Sequence, residues 1–195
     1  MDETINSIRE YSYSDDAGDA QAIVYHLFPG VEVAYTSVHM ADFDFGLFEQ
    51  GERKNYVSIH YCAEGRIEQQ VNDEFFYLMP GDCSFAIHKK PQKLFQFPLK
   101  HYHGVSICID LDCMRSPLMA YAESCDCAPL DVLHHICSGM SHIVLRSSDA
   151  AKKYFNDLYE AGSDVPVLFI CHPRQLLLAR SVFLNLYVTL APLPL

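Results

Sequence analysis

Before residue 110 the chain alternates short apolar runs with turn signals. Residues 23–28 (Ile-Val-Tyr-His-Leu-Phe) and 31–38 read as strands joined by Pro29-Gly30. Phe43-Asp44-Phe45 keeps a period of two, and residues 56–62 form a longer strand ended by Glu64-Gly65. Strands over 66–71, 75–79, 83–88, 93–97 and 104–109 follow, with Asn72-Asp73 and Pro80-Gly81-Asp82 as turns. Short strands at this spacing predict an antiparallel barrel or sandwich. After Asp110 the period lengthens. Ser148 is a predicted N-cap, Asp149 suits the first turn, and Ala151, Tyr154, Phe155 and Leu158 recur at helical spacing up to Gly162. Leu130–Cys137 is a short helix or a loop. A further helix is expected from Pro173, where Leu176, Leu177, Phe183, Leu184, Leu186, Tyr187 and Leu190 cover more than one face. Residues 1–20 are polar and acidic and predict a mobile arm.

Half of the 195 residues are hydrophobic and 20% are charged, which supplies a core and argues against disorder. The formal net charge of −11 opposes a free-standing nucleic-acid binder. The first residues lack the basic and apolar regions of a secretory signal, and no apolar run is long enough for a membrane span. A cytoplasmic location is expected. The chain has eight cysteines; without an export signal they read as structural thiols. Cys125-Asp126-Cys127 lacks the spacing of a zinc pair.

Residues 61–68 (Tyr-Cys-Ala-Glu-Gly-Arg-Ile-Glu), 77–82 (Tyr-Leu-Met-Pro-Gly-Asp) and 101–107 (His-Tyr-His-Gly-Val-Ser-Ile) together resemble the N-terminal regulatory domain of AraC-family transcription regulators. The resemblance spans roughly residues 20–190 in plan; Gly65, the Pro-Gly-Asp turn and residues 102–107 carry it. It implies a mainly β fold with α: a cupin-like antiparallel β-barrel over residues 21–115, behind the arm of 1–20, and a helical dimerisation subdomain over 116–195. It further implies an arm that folds over a pocket when ligand is present. No stretch matches the two helix-turn-helix units of that family, so DNA binding by these residues is not expected.

The strand over 56–62 sets Tyr56, Ser58, His60 and Cys62 on one face and Val57, Ile59 and Tyr61 on the other. Glu68 and Gln70 share a face with Arg66, and Ser84 and Ala86 share one with His88. If the polar faces point inward, Ser58, His60, Glu68 and His88, joined by His103, meet a small ligand; if outward, they are the solvated side of a sheet. The sequence leaves both open. Lys89, Lys90, Lys93 and Lys100 form either a solvated hairpin or an anion-binding lip.

Metal-binding cupins use a His-x-His pair, a Glu and a later His; here the pair is broken at His60-Tyr61-Cys62. His101-Tyr102-His103 has pair spacing but follows the turn motif instead of preceding it. No stoichiometric metal and no cofactor are therefore expected, and His134, His135 and His142 read as surface or helix-cap residues. The leading expectation is a non-enzymatic, ligand-sensing and dimerising regulatory module that responds to a small-molecule effector. Its homodimer would form through the C-terminal helix, with Phe183, Leu186 and Leu190 as one stripe. The alternative is a small cupin enzyme, a metal-dependent dioxygenase or isomerase.

Overall fold

The computed structural model describes residues 8–28, 30–45, 55–71, 74–88, 94–111, 142–147 and 149–163. Eleven strands run β1 (Ile8–Asp15), β2 (Gly18–Phe28), β3 (Val31–Val38), β4 (Asp42–Asp44), β5 (Tyr56–Gly65), β6 (Ile67–Val71), β7 (Glu74–Leu78), β8 (Asp82–His88), β9 (Leu94–Gln96), β10 (Tyr102–Asp110) and β11 (His142–Arg146); one helix, α1 (Asp149–Ser163), follows. They form a seven-stranded sheet, ordered β1-β2-β3-β10-β5-β8-β11, and a four-stranded sheet, β4-β9-β6-β7. Every pairing is antiparallel. The smaller sheet packs on one face of the larger, and α1 packs on the other.

Period-two alternation decides which side chain meets which layer. The outer face of the large sheet carries Val33, Tyr35, Val57, Ile59, Tyr61, Phe85, Val105, Ile107 and Ile109. Phe155 and Leu158, three apart on α1, are nearly fully buried against it. Phe155 stacks on Tyr61 with ring centroids 4.6 Å apart. The Tyr35 hydroxyl donates to the Leu158 carbonyl at 2.7 Å, and the Tyr61 hydroxyl to Asn156 Oδ1 at 3.0 Å. The inner face meets the small sheet in a second core of Ala20, Ala22, Val38, Cys62 and Tyr102 against Phe43, Ile67, Leu78, Phe95 and Phe97.

Four of the crossings between the sheets, after β3, β5, β7 and β9, gather at one end, the closed end of the barrel; those after β4 and β8 lie at the other. At two crossings the geometry requires glycine. Gly65 has φ +78, and a Cβ there would run into the His101 carbonyl. Gly81, at φ +87, follows Pro80; the Asp82 carboxylate accepts from Met79 N at 3.0 Å, and Asp82 N donates back to Met79 O at 2.8 Å.

Three expectations change. Residues 8–20, assigned to a mobile arm, belong to a β-hairpin in which β1 pairs with β2 from Ile8↔Tyr25 to Asp15↔Gly18. An edge strand buries little, so its polar sequence hid it: Ile8 and Tyr11 pack against the two cores, and Tyr13 meets the Phe43 ring. The segment 116–195 is not wholly helical, because β11 extends the large sheet beside β8. His142 is accordingly a buried strand residue, 6% exposed, and neither a surface nor a cap histidine. The expected Ser148 cap, the segment 130–137 and the helix from Pro173 lie outside the described residues, as do Lys89, Lys90, Lys93, His134, His135 and the cysteines after Cys108. No described helix is long and apolar enough to cross a membrane.

Candidate functional site

Pairing across β5 fixes the orientation that the sequence left open. Cys62 lies in the core between the sheets, so Tyr56, Ser58 and His60 on the same face also point between them. The register sets His60 opposite Ser106 on β10 and Ser84 on β8, Ser58 opposite Ala86, and Tyr56 opposite His88. His142 lies opposite Ala86 on the far side of β8. Four strands thus build one polar belt inside the barrel.

Its hydrogen bonding is half complete. Ser58 Oγ and His88 Nε2 share a bond at 2.7 Å, and His88 stacks on Tyr56 at 4.5 Å. His60 Nδ1 and Ser106 Oγ share one at 2.8 Å. Ser84 Oγ, Gln69 Nε2 and both ring nitrogens of His142 are buried without a partner. Gln69 pairs with Phe76 across β6 and β7, and the Phe76 ring rests on His142, so these polar groups line one side of the interior. Each unsatisfied buried group costs roughly 1–3 kcal/mol, and such clusters mark places where a water or ligand completes the bonding.

Electrostatically the belt is held neutral. Burial, then the neighbouring His88 and His142, push His60 down to about 3. Burial also lowers His88 to about 4, with His142 adding to the effect, and His142 itself to about 4. Three neutral imidazoles offer donors and acceptors without a formal charge, which suits a polar, uncharged or weakly acidic guest. The nearby thiols are inert: burial raises Cys62 to about 12 and pushes Cys83 up as well.

Accessibility along the inner face is graded. On β2, Ala20 and Ala22 are buried while Val24 and His26 are half-buried; on β3, Val38 and Thr36 are buried while Ala34 and Glu32 are half-buried; on β10, Tyr102, Gly104 and Ser106 are buried while Cys108 and Asp110 are half-buried. The β2, β3 and β10 wall is thus half-buried at the end away from Gly65 and Gly81, while on β5 and β8 Tyr56, Ser58, Ala86 and His88 at the same end are buried. On β5 the order reverses, with His60 half-buried behind the buried Tyr56 and Ser58. At the end near Gly65 the interior is closed by the aromatic side chains of Phe95, Phe97 and Tyr102. At the opposite end Glu32 Oε1 pairs with Arg9 at 2.8 Å and His26 Nδ1 at 2.9 Å.

Of the residues singled out from the sequence, Ser58, His60 and His88 come together in this belt. Glu68 does not: it points away from the interior and pairs with Arg66 at 2.6 Å, whose guanidinium covers Tyr77 at 4.4 Å. His103 lies at the closed end, bonded to Tyr159 of α1. Ser106, Gln69 and His142 belong to the belt and were not singled out. For His142 a signal existed: His-Ile-Val-Leu-Arg is a short β-branched run fit for a strand.

No protein-family model matches the chain, and no curated protein matches it in sequence. Among solved structures, the AraC-like transcriptional activator CuxR overlays 94% of this chain at a TM-score of 0.54 and 12% identity. The two proteins share a fold. The overlay covers 62% of the activator's own length. Smaller overlays occur with Rru_A2000 of Rhodospirillum rubrum, a cupin-2 domain (TM-score 0.38, 15% identity, 53% of this chain and 70% of that one), and with KdgF of Halomonas sp. (TM-score 0.37, 14% identity, 53% and 86%).

Proposed function

We propose that this chain is the ligand-sensing domain of an AraC-type transcription regulator, and that the cup between its sheets receives a small polar effector. The buried and only half-satisfied polar belt of Ser58, His60, Ser84, Ser106, His88 and His142 carries the reading. A packed core of this fold would fill that space with apolar side chains; here the buried donors and acceptors await a partner. The likeness to an AraC-like activator over 94% of the chain supports the regulatory assignment. The net charge of −11 supports a role in which these residues sense and leave DNA contact to others. Homodimerisation belongs to the same reading and rests on the apolar pattern of residues 173–190. A cytoplasmic setting fits it. The cupin-enzyme alternative draws less support. Among the described residues, the three-member group of His, Cys, Asp or Glu side chains whose donor atoms converge lies outside the cup.

Ala34 stands on the wall of the cup, which gives a direct test. In the Ala34→Phe variant the ring enters open space, so stability should change by less than about 1 kcal/mol, against the roughly 1–3 kcal/mol of an overpacked core. Native mass spectrometry of the purified chain should show a small molecule released on denaturation and depleted in the variant. A clear loss of stability in urea titration would show a filled interior and overturn the reading.

A further inference from the structure

At the closed end, well away from the cup, three histidines meet that no single stretch of sequence brings together. The register Val38↔Tyr102 between β3 and β10 sets His39, just past one strand, across from His101, just before the other. His103 follows two residues on. Donor atoms of His39, His101 and His103 all lie within 4.8 Å of one another. The rings are 4.7 to 5.5 Å apart between centroids. His39 Nε2 and His103 Nε2 face each other at 3.3 Å.

The remaining nitrogens of that facing pair are already engaged. His39 Nδ1 is 3.2 Å from Asp19 Oδ2, and His103 Nδ1 is 3.0 Å from the Tyr159 hydroxyl. Holding Nδ1 leaves Nε2 aimed at a common point, the arrangement by which outer partners orient metal-binding imidazoles. Glu64 adds a second carboxylate, 3.2 Å from His101 Nε2 and 3.8 Å from His103 Nδ1. The side chains are one-quarter to two-fifths exposed, so an ion can enter from solvent.

We propose that His39, His101 and His103 form a binding site for a divalent transition-metal ion, zinc in the first instance, with the fourth position open to solvent. Zinc–nitrogen bonds of about 2.0–2.1 Å arranged tetrahedrally give a nitrogen–nitrogen edge of about 3.3–3.4 Å, which is the separation of the His39 and His103 nitrogens. That spacing is long for a plain hydrogen bond. Three imidazoles favour zinc, copper or nickel over calcium or magnesium. The Asp19 and Glu64 carboxylates supply the negative surroundings that a dication needs. The bound ion ties β3 and β10 to Tyr159, so it fastens α1 to the end of the large sheet. The site replaces the expectation of no stoichiometric metal, which considered His101 and His103 without His39. It is independent of the cup, and its failure leaves the proposed function standing.

The test uses the full chain, free of tags and stripped with chelator, titrated with zinc chloride alone in competition with a chromophoric chelator. One zinc per chain is expected at this site. His39→Gln, His101→Gln and His103→Gln should each weaken its binding at least about tenfold, and Asp19→Asn by about tenfold through the orientation of His39. Cobalt in place of zinc should give the intense visible bands of a four-coordinate site, lost in His39→Gln. Saturating zinc should raise the melting temperature of the parent and leave that of His39→Gln unchanged. Should His103→Gln unfold through loss of its Tyr159 contact, the more exposed His39 and His101 variants still decide. Two results overturn the proposal: no saturable binding, which leaves a hydrogen-bonded histidine chain only, or binding that all three glutamine variants retain, which assigns the ion to other residues.

Discussion

The two faces of the large sheet are built by the same strands and do opposite work. On β5 the outward residues Val57, Ile59 and Tyr61 are 0–2% exposed and pack against α1. The inward residues Ser58 and His60, one step along the same strand, hold polar bonds to His88 and Ser106. The outer face is apolar, continuous and closed. The inner face is apolar at one end, polar in the middle, and half-buried on β2, β3 and β10 at the other. Stability is concentrated where every position is matched by a neighbour. On the proposed reading, recognition is left to the face where some groups stay unmatched, and that division lets one sheet serve as scaffold and receptor together.

Acid should break the comparison most forcefully. The unfolded chain protonates its histidines below about pH 6.5, while His60, His88 and His142 stay neutral in the fold until about pH 3 to 4. Their folded pKa values are depressed, so the unfolded state binds more protons in this window and stability falls as pH falls from about 6.5 towards 4. Each histidine contributes up to about 1.4 kcal/mol per pH unit there. Urea titrations at stepped pH should show this slope, reduced by about one proton in His142→Phe. An unchanged slope in that variant would place His142 in contact with water.

Next in size is the outer face. Phe155→Ala removes a ring stacked on Tyr61 and 1% exposed. It should cost about 3–5 kcal/mol, measured by chemical denaturation at pH 7.5, where the inner histidines are silent. A cost below about 1 kcal/mol would mean that α1 does not close this face.

The smallest effect has the opposite sign. Ser84 is fully buried with no partner for its hydroxyl. Ser84→Ala should stabilise the ligand-free chain by about 1 kcal/mol. A destabilisation of that size would show that an ordered water already satisfies the group.

The outer face was the legible one. Its alternation is regular enough to read strands from, and α1 was readable from Asp149 and the spacing of Phe155 and Leu158 to its end near Gly162. The Pro80-Gly81-Asp82 turn was equally plain, because its conformation is local. Which face of β5 points inward could not be read, since both are buried and burial depends on a second sheet and a helix remote in sequence. Alternation puts Glu68 on one face with Arg66 and Gln70 but does not say which face of β6 is inner; the parity after Gly65 turns Glu68 outward and brings Gln69 in. The role of His39 is not legible in the sequence, because its neighbours lie more than sixty residues away in the chain and meet it only through the register of β3 on β10.

The closed end of the barrel also carries a rule about chain length. Arg66 alone separates β5 from β6, and three residues each separate β3 from β4 and β7 from β8. With a repeat of two along a strand, one inserted residue after Gly65 would turn Ile67 and Gln69 outward and bring Glu68 in, exchanging the faces of the whole strand. Between β4 and β5, by contrast, eleven residues connect strands whose pairing does not depend on the number between them. Insertions and deletions are therefore admissible at the long β4–β5 crossing and forbidden at the short ones by Gly65 and Gly81, so the rim of the proposed cup can change by length while its depth changes only by substitution.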